Sequence, residues 1–356
     1  MKSLLEEYGT LVVSAIVIMI LVVFAPFIGK HIGKGTETTV ATLTSKLNES
    51  PNEDSGGETA PLKGEAFAVF SADDGSLCFY RDESIPAEGE AYRGKTATNV
   101  YTGIENDGYS PGWEANKPNI VSVNFIDKVQ PKTTYYWFAS CKATTEIHLA
   151  NLDTSNVTNM SGMFAGCRIL PSLNLSHFNT SNVTDMSDMF IGCRNLQTLD
   201  LSDFDTSKVT DMRNMFTACN ELENLNISSF ATENVTDMSM MFQGCFLLKE
   251  LNVKHFNTSK VTTMSNMFDG CRSLINFDVT SFDISKCTSM KAMFSNCTNM
   301  ETLDLSSFDM AHLNYRPSNM FLNNSKLSTV YCRTQEDANI FEKCIGNPPS
   351  ISFQIK

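Results

Sequence analysis

The stretch KVTDMRNMFTAC, residues 208–219, decides the fold, because it is not unique in the chain. NVTNMSGMFAGC ends at Cys167, NVTDMSDMFIGC at Cys193, NVTDMSMMFQGC at Cys245, KVTTMSNMFDGC at Cys271 and KCTSMKAMFSNC at Cys297. With Cys219 these cysteines stand at a constant step of 26 residues. One step earlier, Cys141 closes TTYYWFASC, with Trp137 and Phe138 where later copies carry Met and Phe. A fixed period of this length is the mark of a stacked repeat, in which neighbouring copies share one continuous core.

Working outward from the cysteine, the next segment of each copy reads L-x-x-L-x-L: Leu196, Leu199 and Leu201 in one copy, Leu222, Leu225 and Ile227 in the next, then Leu248, Leu251 and Val253. Alternation over TLDLS sends Leu199 and Leu201 to one face and Asp200 and Ser202 to the other, as in a strand. A phenylalanine closes each strand (Phe178, Phe204, Phe230, Phe256, Phe282, Phe308), and an Asx–Thr–Ser turn follows. The V-x-x-M-x-x-M-F-x-x-C segment then returns apolar residues every three to four positions, which predicts a short helix or 3₁₀ turn. The expected fold is therefore a repeat solenoid, a leucine-rich-repeat-like stack of short parallel strands with short helical or 3₁₀ returns.

FDTSKVTDMRNMFTACNELENLNISSF resembles the 26-residue variant of the BspA-type leucine-rich repeat of bacterial surface proteins. The resemblance covers roughly residues 120–330. It implies a secreted or surface-attached protein and an adhesive role, binding matrix proteins or other cells, without naming a ligand. The chain departs from the pattern at the end: Cys287 and Leu313 replace the repeat valine, and NYRPSNMF inserts a residue. The last layer is expected to be distorted and to begin a C-terminal cap.

The remaining chain divides around this array. Leu11 to Ile28 is an uncharged run of 18 residues, about 27 Å as a helix and close to a bilayer's hydrocarbon thickness. A cleaved signal peptide would have a basic n-region and a shorter apolar stretch. Here Lys2 stands beside Glu6 and Glu7, so residues 1–34 read as an uncleaved transmembrane anchor. Lys30 and Lys34 after the run favour a cytoplasmic C-terminal side, while Lys2 and the terminal amine nearly balance them; the repeats are expected outside the cell. Residues 35–61, rich in Thr, Ser, Glu, Asn and Gly, have little to bury and read as a flexible linker. AFAVFS and SLCFYRD around ADDG predict a hairpin, and NIVSVNF another strand. Residues 62–130 thus form a β-rich N-terminal cap, 131–330 the solenoid and 331–356 the C-terminal cap.

Charge and chemistry narrow the function classes. A formal charge of −13 and a pI near 4.9, with no basic patch interleaved with aromatics, argue against nucleic acid. Twelve of the eighteen methionines occupy two repeat positions, Met160 to Met290 and Met163 to Met293. Residues recurring once per layer stack into ladders, and flexible apolar ladders fill a core; a soft-metal site is the weaker reading. The cysteine ladder reads as buried thiols, because disulfides need specific geometry. Cys332 and Cys344 flank RTQEDANIFEK, an expected short helix, and a disulfide between them stays open. His177 and His255 share a repeat position three layers apart, about 14 Å at the strand spacing, too far to ligate one metal. No cofactor, calcium loop or nucleophile–base pair is expected, and the chain is read as no enzyme. The N-x-[ST] matches, Asn156 and Asn234 among them, are products of the repeat.

The outward strand face is the expected working surface. Between the core leucines it presents Asn174, Asp200, Asn226, Asn252, Asp278 and Asp304, one per layer. Solenoids bind through such extended strips; the plainer reading is a solvated sheet face. Aromatic contacts from Tyr101, Tyr109 and Trp113 in the cap offer a second surface. The expectation is a single-pass cell-membrane protein whose extracellular repeats bind a protein or glycan partner non-covalently, the rival being a structural envelope or spacer protein.

Overall fold

Two hydrogen-bonded seams link the repeats, one in the strands and one in the returns. The structure, a computed structural model, describes residues 62–106, 112–275, 277–313, 315–344 and 351–356, all within the compact unit Leu62–Lys356. The apolar run 11–28 and the linker 35–61 lie outside the described residues. Among the described residues, no helix is long and apolar enough to cross a membrane.

The first seam is the strand face. A hairpin of β1 (Glu65–Ser71) and β2 (Ser76–Asp82) opens it, with β3 (Ala91–Tyr92) and β4 (Lys95–Thr96) beside it and β5 (Asn99–Tyr101) on the outer edge of β1. From β2 onward pairing turns parallel, to β6 (Ser122–Phe125) and then β7 (Glu146–His148). The sheet of the 62–130 segment thus runs without a break into the first repeat strand. Further along, β8 (Thr198–Asp200) pairs with β9 (Asn224–Asn226), setting Leu199 beside Leu225 and Asp200 beside Asn226. Then β10 (Thr302–Leu305), β11 (Thr329–Cys332) and β12 (Ser352–Ile355) stack in parallel, carrying the strand stack past residue 330. The seam is interrupted rather than continuous. Pro171, where the run from β7 would continue, has no N–H to give.

The second seam lies in the returns, and here the helical expectation is corrected. In one copy the amides of Met160, Gly162, Phe164 and Gly166 donate to Asp185, Ser187, Met189 and Ile191 of the next coil, at 2.6–3.0 Å. The alternate amides of Met163, Ala165 and Cys167 donate three residues back, at 3.0–3.2 Å. The return is a train of tight turns with every second amide given to the neighbouring coil. A left-handed residue at every fourth position makes this possible: φ is 62° at Gly162 and 71° at Gly166, and 57° at both Asn214 and Ala218. Such residues end a right-handed helix. Turns of this length space apolar residues every three to four positions, as a helix does, so the two conformations read alike in the sequence.

The apolar pattern buries as expected. Met160, Met163, Phe164 and Cys167 and their counterparts in the following coils, through Met290, Met293, Phe294 and Cys297, are fully buried in one cluster that includes the cap. Phe138, Phe164, Phe190, Phe216, Phe242, Phe268, Phe294 and Phe321 stack in file, centroids 5.6–6.4 Å apart. Buried threonines of the Asx–Thr–Ser turn donate to the next coil, as Thr206 Oγ1 does to Ala231 O at 2.8 Å.

Both ends of the stack are closed by side chains. In the returns, alternate carbonyls of each coil accept from the coil before, as Met163 O does from Phe138 N, and the first coil has none before it. The indole Nε1 of Trp113 donates to Trp137 O at 2.8 Å, standing in for the absent amide, and Lys117 Nζ donates to Tyr136 O at 2.7 Å. Trp113 is fully buried, which removes it as a surface aromatic; Tyr109 lies outside the described residues, and the Tyr101 hydroxyl is taken by Asn116. At the other end, α1 (Gln335–Glu342) is N-capped by Thr334. The buried Asp337 carboxylate accepts from Met310 N at 2.9 Å and from Arg333 Nε at 3.2 Å, tying the helix to the last layers. Cys332 and Cys344 are both free, which closes the question of a bond between them. Cys344 Sγ donates to Ile340 O at the end of α1, while Cys332 is buried in β11.

Candidate functional site

The L-x-L alternation places the six Asx residues on the outward face. Asn174, Asp200, Asn226 and Asn252 are exposed, and Asp278 and Asp304 are half-buried. Each already has a local task. The Oδ1 atoms of Asn174, Asp200, Asn226, Asn252, Asp278 and Asp304 accept the N–H two residues on, at 2.9–3.2 Å. These are Asx turns, which bend the chain out of the strand. The need for a short acceptor explains why Asn or Asp stands here in these six coils, between His148 and Tyr331 of the same file. One polar atom of each side chain stays outside the turn.

Electrostatics divides the strip in two. At the C-terminal end the carboxylates meet cations of the chain itself: Lys254 Nζ lies 3.3 Å from Asp278, and Lys356 pairs with Asp304. Burial acts to raise Asp304, but Lys356 and Ser306 outweigh it and hold its carboxyl below the usual range. The hydroxyl and amide of Thr280, aided by Lys254, likewise lower Asp278. At the N-terminal end Asp200 is lowered by the amide and hydroxyl of Ser202, with a smaller contribution from Asn226. No cation side chain is paired with it among the described residues. Two shallow depressions lie on this face. One, of about 590 Å³, has Thr198, Asp200, Asn224, Asn226 and Glu250 on its walls. The other, of about 610 Å³, has Asp278, Thr302, Asp304, Tyr331 and Lys356. Both are open, with apolar side chains (Leu199 and Leu225 in the first, Phe277 in the second) beside the polar ones, a lining suited to an extended partner rather than to enclosing a small molecule.

The returns carry a different set. Asp185, Asp211 and Asp237 stand one above another, joined by backbone bridges. Burial pushes the Asp211 carboxyl up; its contacts with Arg213 pull it down, and Asp185 and Asp237 push it up again, for a net rise. Lys208 Nζ donates to Asn182 Oδ1 at 2.8 Å. Among the described residues no group of three or more His, Cys, Asp or Glu is placed to hold a metal ion. His177 and His255 reach the Leu149 and Ile227 carbonyls at 2.8 and 3.1 Å, so their shared position braces one coil on the coil before. Sequence reasoning missed the residues that follow each cysteine, Lys142, Arg168, Arg194, Asn220, Phe246 and Arg272, although the C-[KR] pairs were there to be seen.

This fold and face define a leucine-rich-repeat-like solenoid with a polar strand surface. The chain belongs to the family described as "Mycoplasma protein of unknown function, DUF285", whose model matches residues 132–251 and, overlapping, 217–333. Among solved structures the chain is similar to a leucine-rich repeat protein from Bacteroides ovatus, at 16% identity, over 84% of this chain and 100% of that one, with a TM-score of 0.19. So poor a superposition adds nothing to the assignment. Comparison with curated proteins finds no match.

Proposed function

We propose that the protein is a membrane-tethered surface protein whose outward strand face binds an extracellular protein or glycan without chemistry. The observation that carries this reading is the strip itself: an Asx in each of six successive coils, four of the six exposed, bordered by open depressions. The apolar run 11–28 supplies the anchor in this reading and residues 35–61 the reach. The resemblance to BspA-type repeats supports an adhesive role. Many coils acting together, each weakly, would give affinity by summed contacts.

A second reading, a spacer without a specific ligand, is favoured by one observation. All six Asx side chains are already used in turns, so the pattern needs no partner to explain it. The discriminating experiment measures binding of the full-length protein to matrix proteins, glycans and cell surfaces, then repeats it with Asp200→Asn, which keeps the turn acceptor and removes the charge. Binding that weakens in the variant, with melting temperature unchanged, supports recognition by this face. No binding to any of the surfaces supports the spacer. Protease added to intact cells tests the topology, since the repeats should be removed without lysis.

A further inference from the structure

The positions that follow the repeat cysteines build a ridge distinct from the strand face. Lys142, Arg168 and Arg194 occupy the same position in three successive coils and are all exposed. Backbone bonds at this position link the coils of Arg168 and Arg194, Asn195 N to Arg168 O at 3.1 Å, and those of Arg194 and Asn220, Glu221 N to Arg194 O at 3.0 Å; beside it Ser140 N to Ala165 O at 2.6 Å links the coils of Lys142 and Arg168. At the coil spacing of about 4.8 Å the three cations form a row about 10 Å long. None of the three is paired with a carboxylate among the described residues, although the chain as a whole is strongly acidic. An acidic protein that leaves three like charges stacked and unneutralised carries a repulsive cost, which an anionic partner would remove. Further along the same file stand Asn220, Phe246 and Arg272, the guanidinium of Arg272 lying 4.3 Å from the Phe246 ring centroid.

We propose that this ridge binds a linear anionic polysaccharide, sulfated or uronic, along the solenoid axis. Arg168 and Arg194 are suited to such groups because a guanidinium engages sulfate and carboxylate oxygens in pairs. A single-stranded nucleic acid is the other linear polyanion, but its binders add free aromatic faces on which bases stack. Here the ring of Phe246 is covered by Arg272. The rest of the acidic surface repels a duplex, whose charges lie far more densely than one per coil. The inference is independent of the strand-face reading, since the two surfaces share no residue.

The test is binding of the full-length protein to immobilised heparin, with neutral dextran as the reference and salt varied. The triple variant Lys142→Gln, Arg168→Gln and Arg194→Gln should bind at least about tenfold more weakly. The triple variant Lys208→Gln, Lys260→Gln and Lys286→Gln, equal in charge change but on another file, should lose less than about twofold. All six residues are exposed, so melting temperatures should hold and report correct folding. Equal losses in the two triples would show diffuse attraction and overturn the proposal, as would absence of heparin binding by the unmodified protein. Single-stranded DNA bound as tightly as heparin would overturn the assignment to a glycan.

Discussion

The thiol of Cys219 donates to the carbonyl oxygen of Phe190, one coil earlier, at 3.2 Å. The same contact recurs from Cys167 to Phe138, Cys193 to Phe164, Cys245 to Phe216, Cys271 to Phe242 and Cys297 to Phe268, at 3.1–3.3 Å. Where the ladder passes to a different residue the bond survives, for the buried Asn324 donates through Nδ2 to Phe294 O at 2.8 Å. The position therefore requires a buried donor, and cysteine combines that with apolar bulk. Burial pushes Cys219 well above its usual range and Cys245 up to about 12. These thiols should resist a thiol reagent in the native protein and react fully once it is denatured. Reducing agent should leave the melting temperature unchanged; a fall would reveal a disulfide that the free cysteines exclude.

Ala218 offers a test in which the sign of the effect decides. In a helix, replacing an exposed alanine with glycine costs about 1 kcal/mol. At a left-handed residue the same change removes a steric penalty of about 1–2 kcal/mol, some of which is offset by glycine's greater unfolded freedom. Ala218→Gly should therefore stabilise, by up to about 1 kcal/mol, as read by urea denaturation. Destabilisation would return the segment to a helical description.

Asp211 carries a pH signature. Its folded carboxyl titrates above its ordinary value of 3.8, so between those two points the folded state holds more protons than the unfolded. Stability then falls as pH rises through that window, and the penalty persists at neutral pH. Asp211→Asn should raise the melting temperature at pH 7, with the gain vanishing toward pH 3. A variant less stable than the parent at pH 7 would mean that the Arg213 contact outweighs burial and the neighbouring carboxylates.

The two faces should respond unequally to substitution. Phe216→Asp would bury an unpaired charge between stacked rings and should cost more than about 4 kcal/mol. Asp200→Ala keeps a solvated surface but loses the Asx-turn acceptor to Ser202, so its midpoint should fall slightly. Asp200→Asn, which retains the acceptor, should keep the parent's midpoint. Denaturant midpoints at constant slope measure all three.

The first coil depends on one ring. Trp113→Ala removes both a fully buried indole and the donor to Trp137 O, and should cost about 3–5 kcal/mol. Trp113→Phe restores most of the bulk without the N–H, so it isolates the hydrogen bond, at about 1–3 kcal/mol for the carbonyl left without it. Indistinguishable melting curves for Phe and Trp would show that the cap acts through packing alone.

These residues also mark what could be read in the chain. Met160, Phe164, Cys167 and their successors declared themselves as core, because an apolar residue repeated once per coil has nowhere to go but against its own copy. The outward Asx file was equally legible, since strand alternation fixes its side. The return was not. Gly166, Gly192, Gly244 and Gly270 pointed to left-handed turns, but Met and Phe at helical spacing masked the signal. The roles of Trp113 and Asp337 depend on which carbonyl or amide lacks a partner at each end, a matter of three-dimensional accounting with no trace in periodicity. The use of Asp200 in a turn was hidden too, because exposure on a strand face says nothing about the backbone two residues on.

The bonds from Gly162 to Ser187 and from Phe164 to Met189 run between coils, and so along the direction in which a load applied to the two ends would pull. Bonds loaded along their own axes give way coil by coil, unlike bonds sheared all together, and each coil touches only its neighbours. A coil of 26 residues released in this way adds at most about 90 Å of chain. Pulled from its two ends, the solenoid would lengthen in steps, yielding coil by coil under tension where a rigid rod would fail at once.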